Sequence, residues 1–251
     1  MCGRYAATKD PAKLIDEFAA VDLTEGAARE DYNVAPTKNV VTVVQRHPRD
    51  AEGQVLEDEP AERSLRIMKW GLVPFWAKDP SVGSRMINTR AETAAEKPAF
   101  KRALKSRRCL VPADGWFEWR RTGKEKEPFY MTDPSGSSLA FGGIWESWRP
   151  KDGSSDEQPL ITFSIITTDA EGQLRGIHDR MPLIVPGEHW DGWLDPDQSS
   201  VDGLLVPTPP DFVESLELRP ISTLVNNVRN NGPQLLTRAE PAASETLFDA
   251  P

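Results

Sequence analysis

Apolar and polar positions alternate along this chain with a period that changes from segment to segment. In DPAKLIDEFAA (10–20), Leu14, Ile15 and Phe18 share one face at helical spacing. Asp10 is placed to cap that helix and Pro11 suits its first turn. YNVAPT (32–37) reads as a turn entering the apolar strand VVTVV (40–44), and LRIMKWGLVPFW (65–76) as a strand running into a proline-broken loop. Residues 91–106 carry a helical pattern that Pro98 should break or restart. Strand signals then crowd together: CLVPA (109–113), GWFEWR (115–120), PFYMT (128–132), LAFGGIW (139–145) and the β-branched LITFSIITT (160–168). PGEHWDGWL (186–194) predicts a short helix with Trp190 and Leu194 four residues apart. Residues 46–62 and 148–159 are polar and turn-rich, which predicts surface loops.

Strands dominate the middle of the chain without strict strand–helix alternation, no repeat is evident, and no linker divides it. The expected fold is α+β, a single domain with a curved, mostly antiparallel β-sheet core and peripheral helices. That domain is expected to span residues 1–236, with a flexible C-terminal tail over 237–251.

Composition removes several functional classes. At 251 residues the chain can bury a sizeable core. No apolar run approaches the roughly 20 residues of a membrane span, and residues 1–10 lack the apolar stretch of a signal peptide. A cytoplasmic, nucleoid-associated protein with no membrane partner is expected. The two cysteines, Cys2 and Cys109, make no disulfide framework, and Cys109 at the head of an apolar strand reads as a buried, inert residue. His47, His178 and His189 lack ligand spacing, and no phosphate-cradling glycine loop occurs, so no metal and no small-molecule cofactor is expected. The net charge of −9 argues against nucleic acid on average, but the charge is uneven. Residues 50–62 are acidic, whereas Arg85, Arg90, Lys97, Lys101, Arg102, Lys105, Arg107 and Arg108 face only Glu92 and Glu96 between 85 and 108. That stretch is either a solvated face or a basic groove.

The candidate chemistry begins at MCGRY (1–5). Cys2 is small enough behind Met1 for the methionine to be removed, which would leave a free α-amine beside the thiol. With reference pKa values of about 7.7–8.0 and about 8.5, both groups are partly deprotonated near neutrality. Such an aminothiol can form an imine with an aldehyde and close on it through sulfur to a thiazolidine. In INTRAET (87–93), Asn88 offers an amide and Arg90 a planar fork suited to phosphate, although Asn88 or Thr89 could equally cap a helix. In DGWFEW (114–119), Trp116 and Glu118 share one face of a strand and Phe117 and Trp119 the other, so Glu118 is either partly desolvated with a raised pKa or an edge carboxylate in water. GIHDRMP (176–182) holds His178 in a loop bracketed by Gly176 and Pro182. Phe75 and Trp76 follow Pro74 on a loop, where exposed aromatics can stack on bases.

Taken in order, MCGRY, YNVAPT (32–37), WGLVPFW (70–76), INTRAET, CLVPADGWFEW (109–119), GIHDRMP and VNNVRNNGPQLL (225–236) resemble the SRAP family, the SOS-response-associated peptidases also described as abasic-site processing proteins. Seven motifs over nearly the whole chain make the resemblance specific. It implies a partner, single-stranded DNA containing abasic sites, and a reaction, crosslinking of Cys2 to the ring-opened sugar aldehyde after removal or autoprocessing of Met1. By the same resemblance Asn88 would hold the sugar or the Cys2 backbone, Glu118 would orient the amine and shuttle protons, and His178 would assist ring opening. Arg4 and Arg90 would bind phosphate, and Phe75 and Trp76 would stack on or wedge bases. Strand cleavage by a lyase path is a credible side reaction, and the protein is expected to act as a monomer. Two other readings stand beside this one. The first is a cysteine peptidase with Cys2 as nucleophile and His178 as base. The second is a non-catalytic single-strand binding module.

Overall fold

The computed structural model describes residues 2–150 and 158–239. Among these residues lie thirteen strands in two sheets and five α-helices. In chain order these are β1 (Tyr5–Ala7), α1 (Pro11–Phe18), β2 (Val21–Asp22), β3 (Asp31–Val34), β4 (Asn39–Arg46), β5 (Glu62–Trp70), β6 (Asn88–Arg90), α2 (Ala91–Ala94) and α3 (Lys101–Ser106). There follow β7 (Arg108–Ala113), β8 (Gly115–Thr122), β9 (Glu125–Thr132), β10 (Leu139–Trp148), β11 (Leu160–Asp169), β12 (Arg180–Pro182), α4 (Trp190–Leu194), α5 (Pro210–Ser215) and β13 (Glu217–Pro220). The fold is mixed α+β with mostly antiparallel sheets, as the segment order predicts.

The larger sheet curls until it meets itself. Antiparallel pairings join β5 to β4, β4 to β7, β7 to β10 and β10 to β11. A parallel pairing of Thr162 with Lys69 and Phe163 with Trp70 then returns β11 to β5 and closes a ring. Alternate side chains fill its interior: Val40 and Val44 from β4, Met68 and Trp70 from β5, Val111 from β7, Phe141 and Trp145 from β10, and Phe163 and Ile165 from β11. The opposite faces of the same strands pack under the helices, where Leu14 and Phe18 of α1 meet Val43 and Leu65.

The smaller sheet runs β13–β9–β8–β1–β3, so the first strand of the chain is an interior strand. Tyr5 pairs with Val34 on one side and Trp116 on the other. Its ring packs edge-on against Trp70 at 5.2 Å and Phe141 at 6.1 Å, which plants the amino-terminal segment at one mouth of the ring.

Several local expectations meet the structure closely. Asp10 accepts a hydrogen bond from the Ala12 amide at 2.7 Å and caps α1 with Pro11 in its first turn. The pattern over 91–106 divides into α2 and α3, with Pro98 in the turn between them, because proline has no amide hydrogen to donate and crowds the preceding turn. Other boundaries shift. The strand expected at 128–132 begins at Glu125, since Gly123 (φ +62°) permits a tight turn that lets Thr122 face Glu125. Trp190 begins α4 after a turn of 3-10 helix over Gly187–His189. The loop expected at 148–159 is entered later, because β10 continues to Trp148; its residues 151–157 lie outside the described residues, as do 240–251 of the expected tail. Arg238 still pairs with Ile221, and the Ala239 amide donates to the Pro220 carbonyl.

The basic stretch does not form one face. Arg108 turns inward, and its guanidinium donates to the carbonyls of Leu104, Lys105, Trp193, Asp195 and Gln198. It ties α3 to the segment after α4, a structural clamp that its place in a charge run conceals. Arg102 lies over the Phe75 ring, and Arg107 pairs with the buried Glu146.

Candidate active site

The residues singled out at the amino terminus, in INTRAET, in GWFEW and in GIHDRMP come from four separate strands or strand ends. Topology explains how they converge. β6 lies parallel to β11, with Asn88 opposite Ile165 and Arg90 opposite Thr167, and the Trp70 indole donates to the Ile87 carbonyl just before it. β12 flanks the same strand, with Asp169 opposite Arg180. β8 sits beside β1, so Glu118 follows directly from the Tyr5–Trp116 pair.

Cys2 is fully buried, at 0% exposure. The Asn88 side-chain amide donates to the Cys2 carbonyl at 2.7 Å, so Asn88 fixes the backbone of the second residue rather than capping α2. The Asn88 Oδ1 is buried and accepts no hydrogen bond among the described residues. Glu118 is 4% exposed and not an edge carboxylate in water. Burial raises its pKa to about 8, and the negative charge of Asp179 adds to the rise. Burial likewise pushes the Cys2 thiol well above the ordinary thiol range, and the neighbouring Glu118 carboxylate pushes it further. Cys2, Glu118 and Asp179 thus interact electrostatically as one cluster.

His178 enters from the loop before β12. Its Nδ1 accepts the Arg180 backbone N–H at 3.0 Å, and partial burial lowers its pKa, so the ring is neutral at pH 7. Asp179 Oδ1 lies 2.8 Å from the same nitrogen, placed to hold the ring once it takes up a proton. Arg180 does more than its place beside His178 suggests. Its guanidinium is almost fully buried and bonds Glu92 of α2, Asp169 and the Thr167 carbonyl. One side chain therefore locks the His178 loop to the segment that carries Asn88 and Arg90. The only sequence signal was its place beside His178 in a motif.

The residues assigned to DNA divide into two kinds. Phe75 and Trp76 are each 44% exposed, among the largest exposed apolar side chains of the described residues. Their loop is pinned at both ends: the Gly71 amide bonds the Phe163 carbonyl, the Val73 amide bonds Thr162 Oγ1, and the Trp148 indole bonds the Ala77 carbonyl. Gly71 (φ +123°) is required because a Cβ there would stand 2.6 Å from the Gly83 carbonyl oxygen. Arg90 is exposed at the end of β6. Arg4 is tied to the neighbouring loops. It donates to Asn33 Oδ1 at 2.7 Å and the Val225 carbonyl at 2.9 Å, and its guanidinium lies 5.8 Å from the Trp119 ring centre. Asn33 in turn donates to the Asn227 and Asn230 carbonyls, and the Trp119 indole donates to Asn226 Oδ1. Through Asn33 and Arg4, YNVAPT and VNNVRNNG brace the amino-terminal segment. Asn33 is a residue to which the sequence motifs alone assign no role.

Cys109 is buried in the ring interior. Among the described residues no group of three His, Cys, Asp or Glu is placed to hold a metal ion, and no helix is long and apolar enough to cross a membrane.

A buried second-position cysteine with a raised carboxylate beside it, framed by a curled sheet and a rigid aromatic loop, defines a class that comparison with known proteins identifies. The family described as SOS response associated peptidase (SRAP) matches residues 1–228, and the chain belongs to that family. It is 37% identical over 238 residues to the abasic site processing protein YoqW of Bacillus subtilis, covering 94% of this chain and 99% of that protein. It is 33% identical over 278 residues to the abasic site processing protein HMCES of Gallus gallus, covering 96% of this chain and 78% of that one. A protein of Bacteroides thetaiotaomicron known from X-ray crystallography superposes with a TM-score of 0.78 at 25% identity, over 95% of this chain and all of that one.

Proposed function

We propose that the protein recognises abasic sites in single-stranded DNA and captures them covalently through Cys2 once Met1 has been removed. The α-amine of Cys2 attacks the C1′ aldehyde of the ring-opened deoxyribose, and loss of water gives an imine. The sulfur then adds to the imine carbon while the thiol proton passes to nitrogen, closing a thiazolidine that shields the lesion. Asn88 holds the Cys2 carbonyl and so aims the amine. Glu118, with a pKa near 8, exchanges protons with amine and carbinolamine near neutrality. His178, neutral and with its Nδ1 taken by the Arg180 amide, offers its Nε2–H as a hydrogen bond to the sugar ring oxygen and so favours ring opening. Phe75 and Trp76 offer stacking faces, and Arg90 a guanidinium for the backbone phosphate. An imine beside an abasic sugar also acidifies the 2′ protons, so β-elimination and strand cleavage compete with ring closure.

The observation that carries this reading is the burial of the Cys2 thiol beside Glu118, which holds it protonated. A peptidase nucleophile works as a thiolate, and this setting suppresses the thiolate. An aldehyde trap that begins at the amine needs the sulfur only in its second step. The relatives named for abasic site processing support the same substrate. The test is incubation of the mature protein with an oligonucleotide carrying one abasic site, followed by a denaturing gel. A heat-stable adduct is expected with wild type and not with Cys2→Ala or with a form that retains Met1. Neither adduct nor nicked strand from the mature protein would overturn the proposal.

A further inference from the structure

The ring of strands has a second mouth. Inward-facing positions on β5 run Trp70, Met68, Arg66, and those on β4 run Val40, Val44, Arg46. Tyr5 marks the Cys2 end through Trp70 and Phe141, so Arg66 lies four residues away along its strand, about 13 Å at strand rise. At that far end a cavity of about 460 Å³ opens, lined by Arg46, Arg49, Arg66 and Arg107 around Trp145. Among the described residues no carboxylate lines it. Arg46 and Arg107 lie against the Trp145 ring at 4.9 and 5.5 Å, which fixes both guanidinium groups. Arg107 pairs with Glu146, but Arg46, Arg49 and Arg66 make no ion pair among the described residues. Arg46 is accordingly pulled below the ordinary arginine range by burial and by repulsion from Arg49 and Arg66. Such a concentration of positive charge is costly in a protein of net charge −9, and a bound anion would relieve it.

We propose that this distal mouth is a binding site for a phosphate-class oxyanion, separate from the Cys2 site. The guanidinium forks suit the planar oxygen pairs of phosphate. Trp145 is 6% exposed and carries two guanidinium groups against its ring, which leaves little of it for a stacked base, so the site selects the phosphate and not a nucleobase. The phosphate can belong to a free compound such as pyrophosphate or to a DNA backbone.

The test is titration of the full chain with pyrophosphate at constant ionic strength, balanced with chloride and followed by calorimetry and tryptophan fluorescence. Saturable binding is expected in wild type and in Cys2→Ala. Arg46→Gln and Arg66→Gln should each weaken it about tenfold, as loss of one charge-assisted contact predicts. Arg46→Gln should not lower the unfolding midpoint, because it removes repulsion, and Arg66→Gln should leave abasic-site adduct formation unchanged. A second titration uses undamaged single-stranded DNA. Displacement of that DNA by pyrophosphate, lost in Arg66→Gln, assigns the phosphate to a DNA backbone, whereas undiminished pyrophosphate binding under saturating DNA assigns it to a free compound. Absence of saturable pyrophosphate binding, or equal binding by both arginine variants and wild type, overturns the proposal, and neither result bears on the Cys2 reaction.

Discussion

Replacing Glu118 with glutamine tests the electrostatic frame of the site. The carboxyl is held at about 8 against 4.5 for a free side chain, chiefly because burial penalises its charge. A raised acid pKa means that the folded chain holds this proton more tightly than the unfolded one. The resulting stability is fully present below about pH 4.5 and is lost as pH rises through about 8. At ~1.4 kcal/mol per pKa unit, the loss is on the order of 3 kcal/mol by pH 7 and 5 kcal/mol when complete. Glutamine keeps the shape and cannot ionise. Glu118→Gln should therefore match wild type near pH 4.5, exceed it at pH 7 and gain further at about pH 9. Urea unfolding followed by tryptophan fluorescence at the three pH values reads the difference. The same variant should form the abasic-site adduct roughly 10²–10⁴-fold more slowly, the range for loss of one proton-transfer group. A gain in stability joined to a loss of rate is the reverse of ordinary damage. Parallel stability curves for the two proteins across this range would refute the reasoning.

Other expectations follow from single contacts. Asn88→Ala removes the donor to the Cys2 carbonyl, and leaving that group unsatisfied should cost about 1–3 kcal/mol in urea unfolding and slow adduct formation. Phe75→Ala and Trp76→Ala should leave stability nearly unchanged but weaken single-stranded DNA binding, by about 1–3 kcal/mol for each stacking face lost, in a fluorescence anisotropy titration. Arg180→Met leaves Glu92 and Asp169 without their shared cation. Both carboxylates reach water, so the loss in unfolding free energy should be about 2 kcal/mol, with the His178 ring signal shifted in NMR and Arg180→Lys restoring part of it.

Much of this site was legible from residue order. Cys2, Asn88, Glu118 and His178 lie in short motifs whose neighbours carry clear strand and turn signals, and period-2 alternation places Glu118 on the face of Trp116. What stayed hidden depended on long-range closure. The parallel return of β11 to β5 has no local signature, and it is this contact that gives the ring two mouths. Arg107 and Arg108 illustrate the limit. They are adjacent in a basic run, yet strand alternation sends one to the distal mouth and the other into a cluster of backbone carbonyls. The contacts of Arg4 with Asn33 and Val225 reach segments 29 and 221 residues away. Bracing of that kind leaves no trace in a local pattern.

The measurement that bears most directly on the central claim is the mass of the crosslinked peptide. The adduct formed on an abasic oligonucleotide is digested with nuclease and trypsin, and the fragment spanning Cys2, Gly3 and Arg4 is analysed. The account predicts a sugar-derived mass on that fragment, with neither the α-amine nor the thiol left open to acylating and alkylating reagents. The same mass on a lysine elsewhere, or on a Cys2 whose amine remains reactive, would contradict it.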